Sequence, residues 1–132
     1  MIHEKAVKAP LNSRTVKWLA VFFYASLIFY LSSLSKPSPI ELPHFFMFDK
    51  VLHFIEYGIL GFLLFNAFTE ESWAKRPILL SFFAATAYGI SDEFHQYFVA
   101  MRESDVLDLF ADSAGGGAGA FFASLYRQGR TP

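Results

Sequence analysis

Ionisable side chains crowd one part of this chain. Between Tyr88 and Gly119 stand Asp92, Glu93, His95, Gln96, Arg102, Asp105, Asp108 and Asp112, among residues otherwise apolar enough for a bilayer. A smaller set precedes them: Asp49, Lys50, His53 and Glu56, with Tyr57 beside it. At a helix centre in hydrocarbon each Asp or Arg costs roughly 2.5 to 3.5 kcal/mol, so a chain that holds so many has a use for them. Excess carboxylates have three physical resolutions: protons shared between them, a bound cation, or a cationic ligand. With His53 and His95 nearby, Mg²⁺, Mn²⁺ and Zn²⁺ all suit the donor set, although no fixed-spacing signature such as H-E-x-x-H is present.

The elements that carry these groups are membrane-like. In 132 residues, 54% are hydrophobic and 17 are Phe, more than the core of one small soluble domain buries. The formal charge of −1, with Lys and Arg scattered between apolar blocks, argues against a nucleic-acid partner. The absence of cysteine excludes disulfides, thiolate metal sites and cysteine nucleophiles. Four segments reach spanning length: Val16 to Leu34, Val51 to Phe68, Pro77 to Phe98 and Val106 to Tyr126. The expected fold is an all-α integral membrane protein, a single domain over residues 1–132, with four transmembrane helices packed as an antiparallel bundle.

Lys5, Lys8, Arg14 and Lys17 before the first apolar run superficially resemble a signal peptide. The run is too long and lacks a small-x-small cleavage site, so it reads as an uncleaved first span. Pro37, Pro39 and Pro43 make Ser35 to Phe48 a loop, with an interfacial piece at HFFMF, and Pro77 in a first helical turn fixes a short loop at Thr69 to Arg76. Positive charges set the orientation. With the N-terminus cytoplasmic, Lys5, Lys8, Arg14, Lys17, Lys75, Arg76, Arg127 and Arg130 lie inside, and only Lys36, Lys50 and Arg102 outside. Both termini are therefore expected inside, in a bacterial inner or plasma membrane.

In that orientation the polar ends of three spans meet at the outer surface. Asp49, His53 and Glu56 share one helical face by i, i+4 and i+7 spacing; Asp105, Asp108 and Asp112 repeat it at i, i+3 and i+7. Asp92, His95 and Gln96 share another face, with Glu93 about a quarter turn away. At 1.5 Å rise per residue, Glu56 and Asp112 each lie roughly 10 Å inward of the first residue of their set, so one outward pocket could collect all three faces. Gly115-x-x-x-Gly119 and Gly116-x-x-x-Ala120 allow close helix approach in lipid, while three consecutive glycines leave a mid-membrane kink as an alternative. Phe and Tyr read as lipid-facing or interhelical filling, with Trp18, Trp73, Tyr24 and Tyr126 as interface anchors.

Three ordered motifs carry a resemblance. DKVLHFIEYGILG at Asp49 to Gly61, SDEFHQYFVAMR at Ser91 to Arg102 and DLFADSAGGGAG at Asp108 to Gly119 resemble the VanZ-like family of small polytopic membrane proteins. The family pattern is matched by Asp49, Lys50, His53 and Tyr57, then Asp92, Glu93, Gln96 and Arg102, then Asp108, Asp112 and Gly115. Ala100-Met101 departs from it, since the family often has Pro-Gly before the arginine. The family is named for an accessory protein of glycopeptide (teicoplanin) resistance, which implies an envelope setting.

Asp49, Lys50 and Asp105, near the interface, are explained by capping and ion pairing, with Arg102 to Glu93 or Asp105 and Lys50 to Asp49 as the pairs expected. The deeper groups outnumber the nearby cations. One expected function is a non-enzymatic envelope protein whose pocket, with Lys50, His53, Tyr57, Gln96 and Arg102, binds a lipid headgroup, cell-wall precursor or glycopeptide. The other is an intramembrane enzyme on a lipid-linked or phosphorylated substrate. There Asp92, Glu93, Asp108 and Asp112 would hold a divalent cation, His53 or His95 would act as base, and Glu56 would be a further candidate. Proton-coupled transport ranks below both, because four spans give little pathway without oligomerisation, which stays open.

Overall fold

The computed structural model describes residues 11–35, 46–102 and 104–130. They form helices α1 (Ser13–Ser33), α2 (Phe46–Phe68), α3 (Pro77–Gln96) and α4 (Val106–Gln128), with no strand among the described residues. Each start has a local cause. Asn12 caps α1 by accepting from the Arg14 amide, Pro77 sits in the first turn of α3, and the Asp105 side chain caps α4 by accepting from the Leu107 amide. The loop at Thr69 to Arg76 lies where the proline placed it.

Two expected boundaries move. Helix α2 begins at Phe46 rather than Val51, so the expected loop gives up residues 46–48; Pro43 is the last helix breaker before it, and nothing from Phe46 onward opposes a helix. Helix α3 ends at Gln96, two residues short of Phe98, where the chain tightens into a turn with the Phe98 and Val99 amides on the His95 and Gln96 carbonyls. Pro37, Pro39, Pro43 and the first two residues of the expected interfacial piece, His44 and Phe45, lie outside the described residues.

The helix order is lateral. Helix α4 packs along α2 and α3, whereas α1 touches α2 and α3 but not α4 among the described residues. Tyr57, Leu60, Leu64 and Phe68 of α2 bury against Ile28 of α1 and Ala85 of α3, and Phe65 meets Ala120 and Ala123 of α4. The distribution of polarity is inverted relative to a soluble domain. Asp112 and Ser81 are fully buried, while Phe22, Phe94 and Phe110 are 64%, 69% and 67% exposed. Helix α1 and residues Phe48–Phe68 of α2 are each long and apolar enough to cross a membrane.

Glycine sets the α2–α4 distance. A Cβ on Gly115 would stand 2.2 Å from the Phe54 carbonyl oxygen, one on Gly119 1.8 Å from that of Gly58, and one on Gly61 2.0 Å from that of Gly116. Backbones this close leave no room for any side chain. Helix α4 runs as one unbroken helix through Gly115, Gly116 and Gly117.

At the end of the bundle away from Asp92 and Asp112, a clasp that the sequence reading did not identify ties α1 to the α2–α3 loop. Glu71, almost fully buried, accepts from the Trp18 indole N–H at 2.8 Å and from Arg14 Nε at 2.8 Å, and Lys17 pairs with Glu70. The Trp18 hydrogen bond, with Arg14 behind it, holds the Glu71 carboxyl below the usual carboxylate range; Lys17 does the same for Glu70.

The glycine contacts separate two substitutions of one type. Gly119→Ala should lower the thermal midpoint of the protein in detergent, at a cost of about 1–3 kcal/mol or more from overpacking. Gly58→Ala, whose Cβ meets nothing nearer than the Gly115 carbonyl oxygen at 3.6 Å, should hold or raise it. Equal midpoints for the two variants would contradict backbone contact at Gly119.

Candidate functional site at the polar end of the bundle

The N-terminal halves of α2 and α4 and the C-terminal half of α3 bring the charged groups to one end. Because α2 and α4 touch through glycine, the side chains one turn away on either helix must mesh. His53 of α2 and Asp112 of α4 do so, with Nδ1 and Oδ1 2.9 Å apart and both residues buried. His53 Nε2 faces Asp108 Oδ2 at 3.9 Å. One turn outward, Lys50 bridges Asp108 and Asp105, the latter at 2.6 Å. The lysine hydrogen bond holds the Asp105 carboxyl, which lies before the first turn of α4, below its usual range.

From α3, Glu93 reaches the start of α4: its Oε2 accepts from the Asp105 amide at 2.9 Å and the Ser104 hydroxyl at 3.1 Å. A carboxylate that accepts orphan amides at a helix N-terminus is in a favourable field. Asp112 can lie flat on α3 because Gly89 is bare, since a Cβ there would be 3.0 Å from Asp112 Oδ2. Glu93 is on the same face as Gly89, one turn along.

Asp92 faces the other way, toward α1. It accepts from the Ser32 hydroxyl and from Gln96 Nε2 at 3.0 Å, and all three residues are buried. His95 stacks on Phe29 with ring centroids 4.4 Å apart and lies 2.9 Å from the Ser33 hydroxyl through Nε2, half-buried. Arg102 pairs with neither Glu93 nor Asp105. Its guanidinium donates to the Leu31 and Leu34 carbonyls at 2.9 and 3.1 Å, capping the C-terminus of α1. Lys50 takes the two α4 aspartates, a pairing that ties α2 to α4.

The candidate residues therefore form two groups. His53, Glu93, Asp108 and Asp112, with Lys50, lie between α2, α3 and α4; Asp92, His95, Gln96 and Arg102 lie against α1. Glu56 is half-buried within the fields of His53, Asp92 and Arg102, and the Tyr24 hydroxyl donates to its backbone carbonyl at 3.1 Å. Tyr57 is fully buried in the fields of both Asp92 and Asp112, between the two groups. Ser32 and Ser33 were missed as site residues. Their signal was the Ser pair in LSSLS at the end of an otherwise apolar span.

Polar atoms are left over in the interior. Tyr57 Oη, Glu93 Oε1 and Asp112 Oδ2 are buried with no hydrogen-bond partner. One ligand atom each from His53, Glu93 and Asp112 lies within 4.8 Å of the others, as do those of Asp49, His53 and Asp108. An apolar recess of about 320 Å³, lined by Phe22, Ala25, Ser26, Phe29 and Tyr88, opens separately between α1 and α3.

The turn that sets α3 against α4 has one strained residue. Met101 has φ of 64°, in the left-handed region that favours glycine. Met101→Gly should raise stability by roughly 1 kcal/mol, seen as a higher thermal midpoint, because the strain of a Cβ there is removed. A lower midpoint would mean that the Met101 side chain contributes more than its backbone costs.

No protein of curated function and no solved structure matches the chain. A family model described as VanZ/LLP1 matches residues 4–127. That span contains all three motifs and every polar contact between α2, α3 and α4 described above, and by it the chain belongs to the VanZ/LLP1 family.

Proposed function

We propose that this VanZ/LLP1 protein is a four-span protein of the bacterial plasma membrane, with both termini cytoplasmic, whose polar end binds an envelope ligand at the outer leaflet. The ligand class is a lipid headgroup, a cell-wall precursor or a glycopeptide of the teicoplanin type. The observation that carries the reading is the buried polar surplus at one end: Tyr57, Glu93 and Asp112 keep unpartnered atoms in a bundle whose outside is phenylalanine. Buried polar groups without partners are costly, and a ligand that supplies donors and acceptors relieves that cost. Exposed Phe on every helix, as at Phe22, Phe48, Phe94 and Phe110, supports a bilayer around all four.

Division of labour follows from the two groups. Gln96 and Arg102 offer donors to an anionic or carbonyl-bearing part of the ligand, while the carboxylates of α3 and α4 suit a cationic part. Arg102 is already at the membrane-surface turn and needs only to exchange backbone carbonyls for a ligand oxygen.

Orientation is tested first. The chain has no cysteine, so a single cysteine at Ser104 should react with a membrane-impermeant maleimide in intact cells, and one at Lys75 should not. The reverse pattern would invert the topology. For the ligand, a fluorescent glycopeptide and a lipid-linked cell-wall precursor are titrated onto the full chain in nanodiscs. At least one should bind, and Arg102→Ala should weaken it about tenfold, as expected for a lost charged hydrogen bond. Failure of both probes, or equal binding by the variant, would refute the assignment.

A further inference from the structure

We propose that His53, Glu93 and Asp112 hold a divalent transition-metal ion between α2, α3 and α4. The inference rests on the reading of this end as a binding site and names its innermost occupant. It departs from the all-carboxylate set expected from sequence, Asp92, Glu93, Asp108 and Asp112, because Asp92 faces α1, where Ser32 and Gln96 occupy its oxygens.

Geometry makes the selection. Two ligand atoms about 2.1 Å from one ion and at a right angle to each other are about 3 Å apart. His53 Nδ1 and Asp112 Oδ1 are 2.9 Å apart, and one ligand atom each from His53, Glu93 and Asp112 lies within 4.8 Å of the others. The ion would replace the hydrogen bond between the imidazole and the carboxylate. Two ligands come from helices locked together by glycine, so they are held by backbone contact rather than by flexible loops.

The unpartnered atoms point the same way. Glu93 uses only Oε2 on Ser104 and the Asp105 amide, and Asp112 uses only Oδ1; Glu93 Oε1 and Asp112 Oδ2 are buried at residues 6% and 0% exposed. Two carboxylates and a neutral imidazole around M²⁺ are electrically balanced, whereas two carboxylates in a bilayer interior are not. A nitrogen donor among oxygens favours Zn²⁺ or Mn²⁺ over Mg²⁺ and Ca²⁺.

A supporting shell is already present. With Nδ1 on the ion, His53 Nε2–H is directed at Asp108 Oδ2, now 3.9 Å away, and Asp108 is itself held by Lys50. A carboxylate behind a ligating imidazole fixes the tautomer and strengthens the donor. Lys50 and Asp108 thereby acquire a role as positioning residues.

The test uses the full chain without a polyhistidine tag, in nanodiscs, dialysed against Zn²⁺ or Mn²⁺ and assayed by elemental mass spectrometry. One of these ions should be retained at one equivalent per chain, with the thermal midpoint raised. Glu93→Gln, which preserves shape, and Asp112→Asn should each lower the affinity by at least about tenfold, while Glu70→Gln at the opposite end should retain it. Substoichiometric metal in the wild type, or unchanged uptake by Glu93→Gln, would overturn the site. The wild-type stoichiometry decides even where a variant misfolds. A protein that binds an envelope ligand but no metal loses this inference alone; one that binds metal but no ligand loses the wider reading.

Discussion

The contact on which this structure depends is backbone to backbone. Helix α4 lies against α2 at a separation that only glycine permits, with Gly115 on Phe54, Gly119 on Gly58 and Gly61 on Gly116. In lipid there is little hydrophobic drive to bring helices together, so dispersion between close backbones has to do it. The effect reaches the site directly. His53 lies one residue before Phe54 and Asp112 three before Gly115, so the register that seats the glycines also places the imidazole on the carboxylate. Packing and chemistry here share one constraint, and a change in the first displaces the second.

Around that pair the bundle is built inside out. Asp108, Asp112 and Ser81 are buried beside Tyr57, Leu60 and Phe65, while Phe22, Phe94 and Phe110 face outward. Helix α1 is the least integrated element, with no contact to α4 among the described residues. Polar groups fasten it, most of them at its two ends. Glu71 takes Trp18 and Arg14 at one end; at the other, Ser32 meets Asp92, Ser33 meets His95, and Arg102 caps the last carbonyls. Between these ends, beside the apolar recess at Phe22, Phe29 and Tyr88, the Tyr88 hydroxyl donates to the Ala25 carbonyl at 2.6 Å and the Tyr24 hydroxyl to the Glu56 carbonyl.

Helix existence was legible in the sequence because apolar runs of spanning length and prolines leave few alternatives, and loop Thr69 to Arg76 followed from Pro77 alone. The meeting of three polar faces at one end was legible too, since antiparallel neighbours with short loops bring the start of one helix beside the end of the previous one. The partners within that end were not. Helical spacing placed Asp92, His95 and Gln96 on one face and set Glu93 aside, yet it carried no information about rotation of α3 between α1 and α4. That rotation turns Asp92 to Ser32 and Glu93 to the start of α4. Glu71 was passed over for a similar reason: a loop carboxylate reads as solvated until Trp18 and Arg14 of another helix are seen to close over it.

The two groups differ in how their charge is balanced, and that difference bears on what each can recognise. Asp92 is satisfied by neutral donors, a hydroxyl and an amide, and the cation near it, Arg102, is spent on backbone carbonyls of α1. This side is held by hydrogen bonds to neutral groups. Between α2, α3 and α4, Lys50 is committed to Asp105 and Asp108, leaving His53 as the one basic group beside Asp112 and Glu93. In a medium of low dielectric an imbalance of this kind is far more costly than an exchangeable hydrogen bond, so the positive charge that resolves it must stay with the fold. The proposed ligand on the α1 side and the proposed ion on the α4 side thus both rest on one arrangement of seven carboxylates, Asp49, Glu56, Asp92, Glu93, Asp105, Asp108 and Asp112, at one end of a glycine-set helix pair.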